Sequence, residues 1–140
     1  FAPVAGRLAA GADLADAGSA IDPATLVRLA LPTPTWEGAT LVAHIIHIDH
    51  FGNLITNIGP DLAPTLFAAP QIDARLGQHT ITARAVTFGA APDNAPFWYL
   101  DSSGHAAIAW RNGSAAQHVG ARVGMALDVQ GMPGGNDRIA

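Results

Sequence analysis

A mostly β domain, a small antiparallel barrel or sandwich behind a short N-terminal helix, is the fold class the sequence predicts, on three observations. Apolar and polar residues alternate with a period of two over short runs, most plainly from Leu41 to Asp49. Glycine and proline, 15 and 10 of the 140 residues, punctuate the chain between those runs. Helical spacing of apolar residues is confined to short segments, the first at the front of the chain, which leaves strands to form the core.

In order along the chain, Phe1, Val4, Ala5 and Leu8 fall at helical spacing, with Pro3 in the first turn and Gly11 just past the end. Asp22-Pro23 reads as an N-cap followed by the first residue of a helical turn. The prolines of Leu31-Pro32-Thr33-Pro34-Thr35 hold a stiff, extended connector. Residues 1–35 are therefore expected to be a helical entry segment and linker, 36–130 a β domain, and 131–140 a flexible tail. Within the β domain, strands are expected at 41–49 and 54–58, with a break at Phe51-Gly52-Asn53. Gly59 to Leu62 ends the second of these and can start one helical turn. Gln71–Ala74 and His79–Val86 alternate in the strand manner around a turn at Leu76-Gly77-Gln78. Phe97–Leu100 and Ala106–Trp110 flank a turn at Asp101-Ser102-Ser103-Gly104, Ala115–Val119 fits a helical turn, and Met125–Val129 a last strand.

Composition narrows the function. Hydrophobic residues make up 49% and charged ones 13%, the balance of a globular chain that buries surface against a partner. Net charge is −4, and the seven basic residues, all arginine, are scattered, so neither nucleic acid nor an anionic membrane is expected as a partner. Zero cysteines exclude disulfides and thiolate metal sites. No apolar run reaches the ~18 residues of a membrane span, and no basic start and apolar core mark a signal peptide, which makes the cytoplasm the default compartment. A start at Phe1 rather than Met is expected of either a processed product or a fragment.

Several constellations could carry chemistry. His44, His47, Asp49 and His50 are metal-ligand types, but strict alternation puts His44 and His50 on one face and His47 with Asp49 on the other, so no metal site is expected. Ser102-Ser103-Gly104-His105 lacks the nucleophile-elbow pattern and reads as a turn. Asn112-Gly113-Ser114 matches a glycosylation sequon, and without a secretory signal it also reads as a turn. No glycine-rich phosphate loop is present. Asp49, Asn53 and Asn57 sit in an apolar run, where such groups either satisfy backbone donors or face a ligand. Phe97 and Tyr99 are expected in the core. Phe51-Gly52 and Phe88-Gly89 differ, because glycine beside an aromatic lets backbone approach a flat ring stacked on the phenyl face. With an amide such as Asn53 and a carboxylate such as Asp49 nearby, these are the groups an adenine-bearing ligand with an ammonium tail requires.

The run Ile48-Asp49-His50-Phe51-Gly52-Asn53-Leu54-Ile55-Thr56-Asn57-Ile58 resembles a segment of the S-adenosylmethionine hydroxide adenosyltransferases, the family that also holds the enzymes making fluorinated and chlorinated adenosines. Phe97 to Gly104, with Ile108-Ala109, resembles the same family's aromatic strand, turn and next strand, and Phe1 to Ala5 its interdomain segment. The resemblance implies a C-terminal substrate-binding domain. In it, Asp49 matches the group that binds the methionine ammonium, Asn53 the one that bonds adenine, Phe88 the stacking ring, and Ser102 the partner of the methionine carboxylate. Trp110 and Asn112 fall where backbone meets the adenine edge, and Phe51 belongs to the same aromatic set. Ser103 stands where halogenating members carry arginine, Asp101 replaces a common asparagine, and Ala107 a frequent glutamate. The implied reaction is hydroxide attack at the ribose 5′ carbon, with S-adenosylmethionine as substrate and no cofactor. The implied active site lies between the N-terminal domain of one subunit and the C-terminal domain of the next in a homotrimer. No catalytic residue is assigned within these residues, so the fragment alone is expected to bind adenosine or S-adenosylmethionine at best. Two rivals are a halogenase on the same scaffold and a non-catalytic nucleoside-binding β domain.

Overall fold

The computed structural model describes residues 1–131, in two compact units, Phe1–Ala30 and the residues from Leu31 onward. The flexible tail expected at 131–140 falls, from residue 132 on, outside the described residues. The first unit holds helix α1 (Ala2–Ala9), with proline in its first turn, and two 3-10 turns at Leu14–Ala17 and Pro23–Thr25. Each 3-10 turn is started by an aspartate: Ala15 N–H donates to Asp13 Oδ1 at 3.0 Å, and Ala24 N–H to Asp22 Oδ1 at 2.9 Å. None of these three elements buries a residue.

The second unit is a nearly closed, barrel-shaped sheet of nine strands. In chain order they are β1 (Thr35–Glu37), β2 (Thr40–Ile48), β3 (Leu54–Thr56), β4 (Asp73–Leu76), β5 (His79–Ile81), β6 (Ala83–Arg84), β7 (Pro96–Leu100), β8 (Ala106–Trp110) and β9 (Ala126–Gln130). Helices α2 (Ala63–Ala68) and α3 (Ala115–Val119) lie between them. The pairing order is β5-β4-β9-β2-β3-β8-β7-β6, with β1 added beside β2. β5 and β6 stand at opposite ends of that order yet are separated in the chain by Thr82 alone, so the sheet curls until its two ends meet. Trp98 ties the seam: fully buried, it donates its indole N–H to Ile81 O at 3.3 Å, joining β7 to β5.

Three expectations need correction. His79–Val86 is not one strand: the chain leaves the β4 edge after Ile81, and β6 then pairs with β7 in parallel, the one exception to antiparallel pairing among the described residues. The helical turn expected from Gly59 is present, Leu62 and Ala63 N–H donating to Gly59 O at 3.0 and 2.8 Å, but it runs on into a helix, α2, that was not expected. Arg84 holds the end of that helix, its guanidinium donating to the carbonyls of Leu66, Phe67, Ala69 and Pro70. The linker ends in a strand, β1, that pairs with the start of β2.

The core follows alternation. Leu41, Ala43 and Ile45 of β2 point inward, at 0, 0 and 1% exposure. They meet Leu54, Leu66, Trp98, Ile108, Leu127 and Val129 in one cluster. At Ile46 the register slips: Ile45 pairs with Thr56 but His47 with Ile55, so two steps on β2 oppose one on β3. This bulge reverses the parity of the strand. Ile48 now packs on the core, and His47 and Asp49 turn to the outer face. By the same parity His44 shares that face, which corrects the separation of the histidines by strict alternation. Among the described residues no three metal-ligating side chains converge.

Candidate functional site

The outer face of β2, β3, β8 and β7 carries the polar groups that the sequence reading singled out. Strand register aligns His47, Ile55, Ala107 and Tyr99 in a row across it. Ala107 is the shallow point of that row, so the larger side chains on either side enclose a depression. Above it, Phe97 and Ala109 begin a small second cluster with Ala85 and Ala91. Phe88, on a 3-10 turn at Phe88–Ala90, leans edge-on against both outward aromatics of β7, its ring centroid 5.3 Å from Phe97 and 5.2 Å from Tyr99.

Two loops of one design frame the depression. In Asp49-His50-Phe51-Gly52-Asn53, Asp49 Oδ1 accepts from Phe51 N–H and Asn53 N–H, both at 2.9 Å. Gly52 N–H donates to Asp49 O, and Asp49 N–H to Asn53 O. In Asp101-Ser102-Ser103-Gly104-His105, Asp101 Oδ1 accepts from Ser103 N–H at 2.8 Å and His105 N–H at 2.9 Å, and the same two backbone bonds recur. Each loop needs glycine in fourth place, where φ is +83° at Gly52 and +81° at Gly104. The aspartates thus do turn chemistry. Asp49 does more: its Oδ2 also accepts from Asn53 Nδ2 at 2.8 Å, which aligns the amide of a side chain only 6% exposed. Asn57, by contrast, is spent on the scaffold, accepting from His44 N–H and donating to Pro32 O.

Two concavities open on this face and meet at Asp49. One, of about 680 Å³, is lined by Asp49, Phe51, Asn53, Phe88, Trp110, Asn112 and Gly113. The other, of about 440 Å³, is lined by His47, Asp49, Ile55, Tyr99, Leu100, Asp101, Ser102 and Ser103. Both volumes lie in the ~300–1,000 Å³ range of small-molecule clefts. All eight residues singled out from the sequence therefore fall on one composite cleft, six on the first concavity's side and Ser102 with Ser103 on the second. A further hollow of about 470 Å³, lined by residues from Leu14 to Ala20, belongs to the first unit and gathers no convergent polar side chains.

The chemistry of the two ends differs. The first offers ring faces and edges from Phe51, Phe88 and Trp110 beside amides from Asn53 and Asn112. Asn112 holds φ at +57°, a left-handed conformation that asparagine tolerates and that lets the chain turn from Trp110 to Gly113. Arg111 braces that turn against the segment after Phe88 through an ion pair to Asp93 at 3.0 Å. The second end offers two carboxylates and two exposed serine hydroxyls, with no lysine or arginine among its lining residues. Its negative field is felt by Tyr99, whose phenol is pushed up from 10.0 to about 12, first by burial and then by Asp49 and Asp101. Tyr99 therefore stays a neutral hydrogen-bond donor throughout the physiological range.

Tyr99 is also the main correction to the site. Expected in the core with Phe97, it is only partly buried and lines the cleft, as do His47 and Asp101, which the sequence reading did not assign to it. The available signal was parity: Trp98 takes the core side of β7, which sends Phe97 and Tyr99 together to the other face.

Comparison with known proteins gives a consistent picture. Residues 43–128 match the family described as SAM hydroxide adenosyltransferase C-terminal domain. The chain is 37% identical over 129 residues to an (R)-S-adenosyl-L-methionine hydrolase of Salinispora tropica, covering 92% of the chain and 48% of that protein. Proteins of the same name from Salinispora arenicola and Thermus thermophilus are 40% identical over 83% of the chain and 35% over 89%, with 42% and 44% of their own lengths covered. The chain thus spans under half the length of the curated relatives it matches. An uncharacterized conserved protein from Thermotoga maritima shares its fold with a TM-score of 0.66 at 28% identity, over 93% of this chain and 50% of that one. A conserved hypothetical protein from Thermus thermophilus does so with a TM-score of 0.58 at 32% identity, over 92% and 50%.

Proposed function

The chain belongs to the SAM hydroxide adenosyltransferase family as its C-terminal domain, and from that premise we propose that it is the substrate-binding part of an enzyme that hydrolyses S-adenosyl-L-methionine to adenosine and L-methionine. One observation supports this above the others. Asp49 sits at the meeting point of an aromatic, amide-lined concavity and a carboxylate- and hydroxyl-lined one, and the substrate has the same two-ended character, a flat purine nucleoside joined to a zwitterionic amino-acid tail.

In this reading the purine lies against Phe88 and Phe51, with its edge toward Asn53 and the turn of Trp110 and Asn112. An amide presents a carbonyl beside an N–H, the complement of adenine's amino group beside a ring nitrogen. Asn53 is held for that task by its bond to Asp49. The tail crosses to the second concavity, its ammonium at Asp49 and its carboxylate at Ser102 and Ser103, where hydroxyls substitute for a basic side chain. Hydroxide attacks the ribose 5′ carbon in line with the sulfonium: the new C–O bond forms as the C–S bond breaks, and the thioether leaves neutral with the bonding pair. The cleft contributes alignment and removal of water from the two reacting ends.

The proposal assigns handling of the nucleophile to an N-terminal domain for which residues 1–35 are the lead-in, with the complete site formed between subunits of a cytoplasmic homotrimer. No cofactor is required, because the sulfonium already supplies the leaving group. Incubating the full-length protein with S-adenosylmethionine should release equimolar adenosine and methionine. Absence of both products overturns the reaction, and a chlorinated adenosine formed in chloride overturns the choice of nucleophile.

A further inference from the structure

We infer that His118 is a positioning residue for the nucleobase end of the cleft, acting through Trp110; the inference rests on the purine reading of that end. The His118 ring lies flat on the Trp110 indole, centroids 4.0 Å apart and planes 13° from parallel. Trp110 lines the concavity and His118 does not, so the imidazole backs a wall whose inner side a ligand meets. The turn that follows is locked to the same stack. A Cβ at Gly113 would lie 3.0 Å from His118 Nε2 and 3.0 Å from Trp110 Cδ1, so only glycine fits against it without a shift.

α3, which carries His118, is also fixed to the loop of Phe51 and Asn53, which line the same concavity. Ala116 N–H donates to Gly52 O at 2.9 Å, and Ser114 packs so closely on Gly52 that a side chain there would overlap it. One five-residue helix therefore holds both the loop that presents Asn53 and the turn that presents Asn112. It sets the gap that a flat ligand must fill. Without the imidazole the indole is free to tilt about its two side-chain torsions, and binding must then order it. The energy of one stacked aromatic pair corresponds to about 3- to 10-fold in affinity.

Calorimetric titration of the full-length protein with adenosine, and separately with L-methionine, tests this. His118→Ala should raise the adenosine Kd by about 3- to 10-fold and leave the methionine Kd within about twofold, while His118→Phe, which keeps a flat ring, should restore adenosine binding. An unchanged adenosine Kd in His118→Ala overturns the inference, as does equal weakening of both ligands, which marks a general loss of fold. Failure of His118→Phe to rescue overturns it too, since the stack would then not be what matters. If the unsubstituted protein binds no adenosine, the purine reading itself falls and this inference with it. Adenosine binding with a silent His118→Ala removes the inference alone.

Discussion

Asn53 shows how one side chain can be both structural and chemical. Its Nδ2 is committed to Asp49 Oδ2 and its backbone N–H to Asp49 Oδ1, so the loop fixes the amide plane before any ligand arrives, while the amide oxygen stays uncommitted among the described residues. Asn53→Ala removes that oxygen and leaves Asp49 one donor short. A ligand bond lost from a buried position costs ~1–3 kcal/mol, so the KM for S-adenosylmethionine in the full-length enzyme should rise about ten- to a hundredfold. An unchanged KM with a normal fold would sink the assignment of Asn53 to adenine. Tyr99 gives a second prediction at this scale. Its phenol is raised in the folded state, so between pH 10 and about 12 the unfolded chain loses the proton first and the folded state is progressively destabilised. Tyr99 should contribute no pH dependence to stability below pH 10, and urea midpoints of Tyr99→Phe should fall less steeply than those of the parent across that window. Parallel curves would mean that burial and the two aspartates do not hold the proton. Both residues were visible in the sequence, but unequally. Asn53 stood out as a polar group in an apolar run, whereas Tyr99 looked like core because alternation alone does not say which parity of β7 faces inward.

The loops are the elements on which the site depends, and they can be compared because they share a design. Both hold glycine at positive φ, so alanine at either position adds left-handed strain of ~1–2 kcal/mol. Their surroundings differ. At Gly104 a new Cβ would lie 3.2 Å from Pro60 Cγ, a contact that a small shift relieves, whereas at Gly52 it would overlap Ser114 at the start of α3. Gly52→Ala should therefore lower stability by about 1–3 kcal/mol more than Gly104→Ala, read from the urea midpoints of the two variants. Equal losses would show that α3 yields easily and is no rigid brace. The Asp-x-x-Gly pattern occurs in both turns and the turns themselves were legible, because aspartate and glycine carry local conformational information. The bulge at Ile46 was not. It arises from pairing with β3 rather than from any residue in β2, and a period-two reading runs straight across it. That unseen slip of one residue is what carries Asp49 out of the core parity and into the cleft.

At the scale of the molecule, the decisive event is closure of the sheet. The seam between β5 and β6 places Thr82 where two edges of the sheet meet: Ile81 faces the core whereas Ala83, paired with Phe97, joins the outer cluster, a change of face that the smooth apolar–polar alternation of the sequence from His79 to Val86 does not show. Strand identity was thus readable where each pattern was self-contained, and strand order was not, since it depends on contacts far apart in sequence. Trp98 makes the seam testable. Its indole faces the core and reaches Ile81 O, while its neighbours Phe97 and Tyr99 face outward and support Phe88. Trp98→Phe keeps an apolar ring but removes the indole N–H and part of the buried volume, which should cost about 2–4 kcal/mol of stability. Adenosine affinity should stay within about twofold, because the outward face of β7 is untouched. Hydrogen exchange then discriminates. Amides of β5 and β6 should lose protection first while those pairing β2 with β3 keep theirs. Uniform loss across all strands would mean that Trp98 is simply one more core residue, and that the barrel is held shut by its overall packing rather than at this seam.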